Sequence, residues 1–268
     1  MPDHPTTPRS GNFVSARVAP AVNRFFMRRL RQSVLIKSFI YRLVWLLPET
    51  FRDQGVIRCA LKSLARQGGP VCFLNIGAND GLAGDPLREF IIRYQWRGVL
   101  VEPVDYVFAR LVRAYRGVRQ VTFENAALAE ITGARQFWFL RKTESLPPGY
   151  DQIGSFQKEH VLKHAGMFPG LEEFVVSREI PCITLADLLR KHAVSRVDLV
   201  LIDTEGYDYE VIKQLDLRQQ PPGMIIFESG HLPPGDQQAC FALLRAHGYT
   251  LTEEDGNAVA VLAAVPAT

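Results

Sequence analysis

From residue 70 onward the chain alternates short apolar runs with stretches whose apolar residues recur every three or four positions. "VCFLNI" (71–76), "GVLVEP" (98–103), "QVTFENAAL" (120–128), "VDLVLIDTEG" (197–206) and "GMIIFESG" (223–230) are apolar on successive residues, the pattern of strands covered on both faces of a parallel sheet. Between and after them, "LREFIIRYQW", "VFARLVRAYR", "TLADLLRKH" opened by Thr184, "YEVIKQL" and "QQACFALLRAHG" have helical periodicity. "RQFWFL" (135–140) is a further apolar run, followed by an irregular stretch that breaks the alternation. The chain closes with "YTLTEEDGNAVAVLA", two strands about the turn signal Asp255-Gly256. The pattern predicts an α/β fold with a mostly parallel sheet and a terminal antiparallel hairpin, which is not the plain dinucleotide-dehydrogenase arrangement.

The segment before residue 67 differs in kind. "RFFMRRLRQSVLIKSFIYRLVWLLPE" is helical in period, but Lys37 and Arg42 interrupt it and Pro48 ends it. Spanning a bilayer takes about 20 mostly apolar residues, so a transmembrane helix is not expected. Residues 1–66 hold 12 Lys/Arg against 3 Asp/Glu, so the overall charge of +3 hides a basic extension on an acidic domain. The apolar side of this helix, with Phe25, Phe26, Leu30, Leu35, Phe39, Leu43 and Leu46, either packs on the following domain or lies on an anionic membrane surface. No aromatic-basic module accompanies it, and no nucleic-acid partner is expected. The expected organisation is a disordered tail (1–20), a basic helical extension (21–66) and a domain over 67–268 with an acceptor-binding insertion at about 141–180.

Four cysteines without ligand spacing, in a chain that is 47% hydrophobic, read as reduced residues of a cytoplasmic protein. No secretory signal is read in the polar first 20 residues.

Ligands of open parallel sheets sit at the carboxyl ends of the strands. Those ends carry Asn75 to Gly81, Glu102, Asn125, Asp203 to Gly206, and Glu228 to His231. Gly77 and Gly81 let backbone approach a ligand, although "GANDG" is neither the G-x-G-x-x-G of nicotinamide proteins nor a P-loop. Glu102, 21 residues beyond Gly81, is placed to accept hydrogen bonds from the ribose of an adenosine-containing ligand.

"NIGANDG", "VEP", "ENAAL", "CITLADLL", "LVLIDTEGYDYEVIK" and "IIFE" stand in the order and approximate spacing of the FkbM-type methyltransferases, and the chain resembles that family from about residue 70 to 230. The resemblance implies S-adenosylmethionine as cofactor and a class I methyltransferase (Rossmann-like) sheet of seven strands. It also implies an acceptor hydroxyl on a sugar or another natural product. The loop of Gly77, Ala78, Asn79 and Gly81 then suits the methionine end of the cofactor, Glu102 the ribose, and Asn125 and Ala126 the adenine edge. Asn75 stands where family members usually carry aspartate, and is left as a neutral partner for the cofactor's amino-acid end.

A hydroxyl acceptor needs its proton removed by a side chain within hydrogen-bond reach. Asp203, Glu228, His231 and His160 are the candidate catalytic residues, with Glu205 and His164 beside them. Asp203 and Glu228 end adjacent strands, which makes Mg2+ a candidate second cofactor. Asp203 and Glu205 also suit capping of a helix near Gly206. His160 and His164 are four apart, a metal-ligand spacing, but they lack H-E-x-x-H and adjoin Lys163, so an acceptor-pocket helix is preferred to a zinc site and no metal ligand is assigned. The alternatives kept open are methylation of a non-hydroxyl acceptor and a non-catalytic module that binds an adenosyl ligand.

Overall fold

The apolar runs form strands and the amphipathic stretches form helices in the computed structural model, which describes residues 55–82 and 84–263. The basic segment up to residue 54 and its tail therefore lie outside the described residues. The chain is described from α1 (Val56–Gln67) and then alternates through β1 (Cys72–Ile76), α2 (Arg88–Tyr94), β2 (Arg97–Val101), α3 (Asp105–Ala114) and β3 (Val121–Glu124). A group of shorter pieces follows: β4 (Ala127–Leu128), β5 (Gly133–Leu140), β6 (Gly154–Ser155), α4 (Lys158–Leu162) and β7 (Val175–Ile183). Alternation resumes with α5 (Leu185–Lys191), β8 (Leu199–Ile202), α6 (Asp208–Ile212), β9 (Met224–Glu228) and α7 (Pro234–Ala246), and ends in the hairpin of β10 (Tyr249–Glu254) and β11 (Asn257–Leu262).

Seven strands form the main sheet in the order β10-β11-β9-β8-β1-β2-β3. The pairs β1/β2, β2/β3, β1/β8 and β8/β9 are parallel, whereas β11 runs against both β9 and β10. This is the α/β class I methyltransferase sheet expected from the sequence, with β11 inserted between β9 and the edge strand β10. The chain builds outward from β1 to β3, then returns to lay β8 on the other side of β1. The order reverses there, and the crevice of an open parallel sheet opens beyond the strand ends at such a reversal.

Both faces of the sheet are covered, which explains why its strands are apolar on successive residues. Leu74, Ile76, Val200, Ile202 and Phe227 pack with Leu188, Val211, Ile212 and Leu244 of α5, α6 and α7. Phe73, Leu100, Leu199 and Ile226 pack on the opposite face with Leu61, Phe90, Ile91 and Leu111 of α1, α2 and α3. Leu61 is fully buried there, so α1 is part of this core, although the sequence reading placed residues 56–66 in the basic extension. The four cysteines are all free thiols. Among the described residues no helix is long and apolar enough to cross a membrane.

Helix α5 starts where the sequence predicted. Thr184 is extended (φ −75°, ψ 158°) and its Oγ1 accepts the Asp187 N–H at 3.1 Å. Thr184→Ala is expected to cost about 1 kcal/mol, the typical loss of a side-chain N-cap, read as a lower midpoint in denaturant unfolding.

A second sheet, β4-β7-β5-β6, is built from residues 127–183. Its centre is the antiparallel pair β5/β7, in register from Gly133↔Cys182 to Leu140↔Val175. Strand β7 was not expected, because Arg178, Glu179 and Pro181 interrupt its apolar pattern. Pro181 is accommodated because β4 pairs only with Cys182 and Ile183, which leaves that edge of β7 open at residue 181.

Candidate active site

Strand β1 ends at Ile76, and the N–H groups of Gly77 and Ala78 both donate to the Val101 carbonyl at the end of β2, at 3.0 and 2.9 Å. Gly77 has φ +83°, and a Cβ there would overlap the backbone carbonyl of Asp203 at the end of β8. Gly81 has φ +67°, and a Cβ there would press into the rings and methyls of Tyr115 and Leu111. The loop is thus bare first because two strand ends and a helix crowd it, a stronger constraint than the ligand approach read from the sequence. Asn79 has φ +49°, and its N–H donates to Glu102 Oε2 at 3.1 Å.

Glu102 ties the floor of the site together. Its other oxygen accepts the Val104 N–H at 2.9 Å, and it is only 6% exposed. Burial pushes its carboxyl up to about 7, against the opposing pull of the Val104 and Asn79 hydrogen bonds and the Arg110 guanidinium. Two hydrogen bonds leave the carboxylate with acceptor capacity to spare. Arg110 pairs with Asp151 at 2.5 Å, which brings a residue of the irregular stretch to the same corner.

These pieces line one cleft that encloses about 620 Å³ including its open mouth. Gly77, Asn79, Glu102, Ala126 and Asp203 are among its walls, as expected from the strand ends. Asn75, Ala78, Gly81 and Asn125 are not. Ala78 is buried beneath the loop, and Asn75 is buried with an Oδ1 that has no hydrogen-bond partner. Asn125 donates its Nδ2 to the carbonyls of Glu102 and Pro103 at 2.8 and 3.2 Å. It is a strap that sets the β2 turn, where the sequence reading had given it the adenine edge. Ala127, Leu128, Val104 and Phe137 make an apolar wall in its place.

The sequence reading missed Phe156, Tyr207 and Asp151, which also line the cleft. The Phe156 ring packs on Phe137 and Tyr207 at centroid distances of 5.2 and 4.9 Å, and the Arg135 guanidinium stacks 4.3 Å above Phe156. Asp151 and Phe156 sit in the irregular stretch and carried no periodic signal.

The acids gather at the other end. Ligand-capable oxygens of Asp203, Glu205 and Glu228 lie within 4.8 Å of one another. The carboxyl of Asp203 is held well above the ordinary range by its enclosed setting, reinforced by the charges of Glu228, Glu205 and Asp208. It also reaches the water of the open cleft, which relieves part of the desolvation and leaves the repulsion from Glu228, Glu205 and Asp208. Asp208, also missed as a site residue, is fully buried beneath them. It accepts from Thr204 Oγ1 at 2.8 Å and from the Glu228 N–H at 3.1 Å, and so fixes the strand ends that carry the acids. Asp203 and Glu205 do not cap α6, because that helix begins at Asp208 after Tyr207 and has no side-chain cap.

Histidines close this end. His160 Nε2, His164 Nε2 and His231 Nδ1 lie 3.0, 3.4 and 3.1 Å from the same Glu205 Oε2, and His231 Nδ1 is also 2.8 Å from Glu228. Burial alone would raise the Glu205 carboxyl, but His160, His164 and His231 outweigh it and hold the group far below the carboxylate range. Glu205 and then Glu228 raise His231 to about 10. His160 and His164 are 4% and 8% exposed, so they are not the solvated residues of a surface helix. Neither they nor His231 are among the cleft walls; Glu205 is the residue that both groups share.

The cleft therefore offers a buried carboxylate with acceptor capacity to spare, an apolar slot and further carboxylates along its walls. No curated protein matches the chain in sequence. Among solved structures, it is similar to methyltransferase FkbM from Methylobacillus flagellatus KT at 12% identity and TM-score 0.45, over 72% of this chain and 44% of that one. The chain thus spans less than half of that protein. It is also similar to a putative caffeoyl-CoA O-methyltransferase from Staphylococcus aureus (12% identity, TM-score 0.44, 90% and 100% covered) and a putative O-methyltransferase from Klebsiella pneumoniae (14%, 0.43, 91% and 97%). The family model of the methyltransferase FkbM domain matches residues 75–251, which contain Glu102, Asp203, Glu228 and the histidine group, and the chain belongs to the FkbM methyltransferase family.

Proposed function

We propose that the chain transfers a methyl group from S-adenosylmethionine to a hydroxyl of a sugar or glycosylated small molecule. The observation that carries this reading is the cleft at the strand-order reversal, where Glu102 and Asp203 stand on opposite sides of the glycine loop. The residues present fit the cofactor. Glu102 retains free acceptor capacity for a pair of ribose hydroxyls, and the wall of Val104, Ala126, Ala127, Leu128 and Phe137 suits an adenine ring. Gly77 and Asn79 face the same space and would hold the methionine end. The bound cofactor supplies a methyl group made electrophilic by a sulfonium.

The chain's own residues do the rest. Asp203 accepts the proton of the acceptor hydroxyl, since it is the most exposed of the carboxylates that line the cleft. Phe137, Phe156 and Tyr207 narrow the mouth, orient the acceptor and exclude water. The segment carrying Asp151, Gln152, Gly154 and Phe156 supplies one wall, which is why residues of about 141–180 are assigned to acceptor binding. The test is incubation of the purified chain with S-adenosylmethionine and a pool of glycans and glycosylated small molecules, read by intact mass. The expected result is a product heavier by one methyl unit whose new group resists mild base, as an ether does. Methyl transfer to amines or carboxylates alone would overturn the hydroxyl assignment.

A further inference from the structure

We propose that His160, His164, His231 and Glu205 bind one divalent transition-metal ion of the zinc type, and that this ion clamps the segment carrying α4 to the strand ends of the main sheet. The proposal does not depend on the methyl-transfer reading. Three separate pieces of chain converge on it: α4 and the turn after it bring His160 and His164, the β8–α6 turn brings Glu205, and the turn after β9 brings His231. Their four ligand atoms lie within 4.8 Å of one another.

The nitrogen–oxygen spacing is close to that of a coordination shell. Tetrahedral zinc with bonds of about 2.0–2.1 Å separates its ligand atoms by about 3.3–3.4 Å. The three imidazole nitrogens stand 3.0, 3.4 and 3.1 Å from the Glu205 oxygen. The three rings are inclined at 51°, 71° and 90° to one another, so they meet through their edges and do not stack.

Hydrogen bonding explains the arrangement less well. A single carboxylate oxygen has two lone pairs, too few for three imidazole donors. His231 Nδ1 is sealed from water and close to two carboxylates, yet it is aligned for a hydrogen bond with neither. The surrounding backbone is shaped to the cluster. Glu205 adopts φ +53°, which is uncommon for a residue with a side chain. Gly206 follows at φ +94°, and a Cβ there would come within 3.0 Å of His160 Nδ1. Three nitrogens and one oxygen suit zinc and its neighbours and do not suit magnesium, which prefers an all-oxygen octahedron. The zinc reading set aside from the sequence thus returns, because His231 and Glu205 complete a set that His160 and His164 could not form alone.

The test uses the full chain without an affinity tag, stripped with a chelator and titrated with ZnCl2. One zinc ion per chain is expected, held more tightly than about 1 µM, with a rise in melting temperature that MgCl2 does not reproduce. His164→Ala and His231→Ala should each weaken binding at least about 100-fold, whereas His192→Ala, whose imidazole pairs with Glu124, should bind as the parent does. Circular dichroism of each variant guards against misfolding, and the parent's own titration needs no variant. Absence of stoichiometric binding by the parent, equal stabilisation by MgCl2, or undiminished binding by His164→Ala and His231→Ala would overturn the proposal.

Discussion

Asp203→Asn is expected to lower kcat by roughly 10²–10⁴-fold, the usual worth of a positioned general base, with little change in cofactor affinity. The substitution keeps the shape of the side chain and leaves the backbone bond from Asp203 N–H to the Ile76 carbonyl untouched. It removes the ability to accept a proton in the cleft. It also removes one negative charge from beside Glu228, Glu205 and Asp208, so the melting temperature should hold or rise. Loss of activity with a stable, cofactor-competent fold is the signature sought in paired turnover, binding and melting measurements. A variant within about threefold of the parent in kcat, far below the 10²-fold minimum expected of a lost base, would remove Asp203 from that role.

Glu102→Ala should weaken binding of S-adenosylhomocysteine by roughly 10–100-fold, the loss of about 1.4–2.7 kcal/mol expected when hydrogen bonds to a charged acceptor disappear. It also strands the N–H groups of Asn79 and Val104, so the glycine loop and the turn after β2 lose their common anchor. Glu102→Gln keeps the volume and one acceptor, and should fall between the two.

The same residue gives a pH signature. Burial raises the Glu102 carboxyl from the ordinary 4.5 to about 7 in the free protein, with Arg110 pulling it down and Asp151 pushing it up. The folded chain therefore holds a proton that the unfolded chain has released. This contribution to stability is complete below about 4.5 and is lost as pH rises to about 7. Ribose hydroxyls donate to the ionised form, so cofactor affinity should increase from about pH 6 to about pH 8. Glu102→Gln should flatten that increase, and an unchanged slope would assign it to another group.

The main sheet was legible because burial on both faces makes its strands apolar on successive residues, a signal that survives without tertiary knowledge. Glu102, Asp203 and Glu228 stood out for the related reason that each is a polar residue ending such a run. The second sheet was less visible. Strand β7 carries Ser177, Arg178, Glu179 and Pro181, and what makes it a strand is eight-residue pairing with β5. Asn125 looked like a ligand residue because it ends a strand, and only the carbonyls of Glu102 and Pro103 show that its amide is already engaged. Gly77 was read correctly as a required glycine, but its reason, the Asp203 carbonyl, belongs to a strand more than a hundred residues away. The histidine group was hidden for the same cause. His160 and His164 look like an ordinary helix face until the fold brings Glu205 and His231 against them.

The cleft's identity as an adenosyl-sulfonium site is tested most directly by calorimetric titration of the full chain with S-adenosylhomocysteine. The account predicts saturable binding of one molecule per chain, weakened by Glu102→Ala. No heat of binding at millimolar ligand, or binding that Glu102→Ala leaves unchanged, would contradict it.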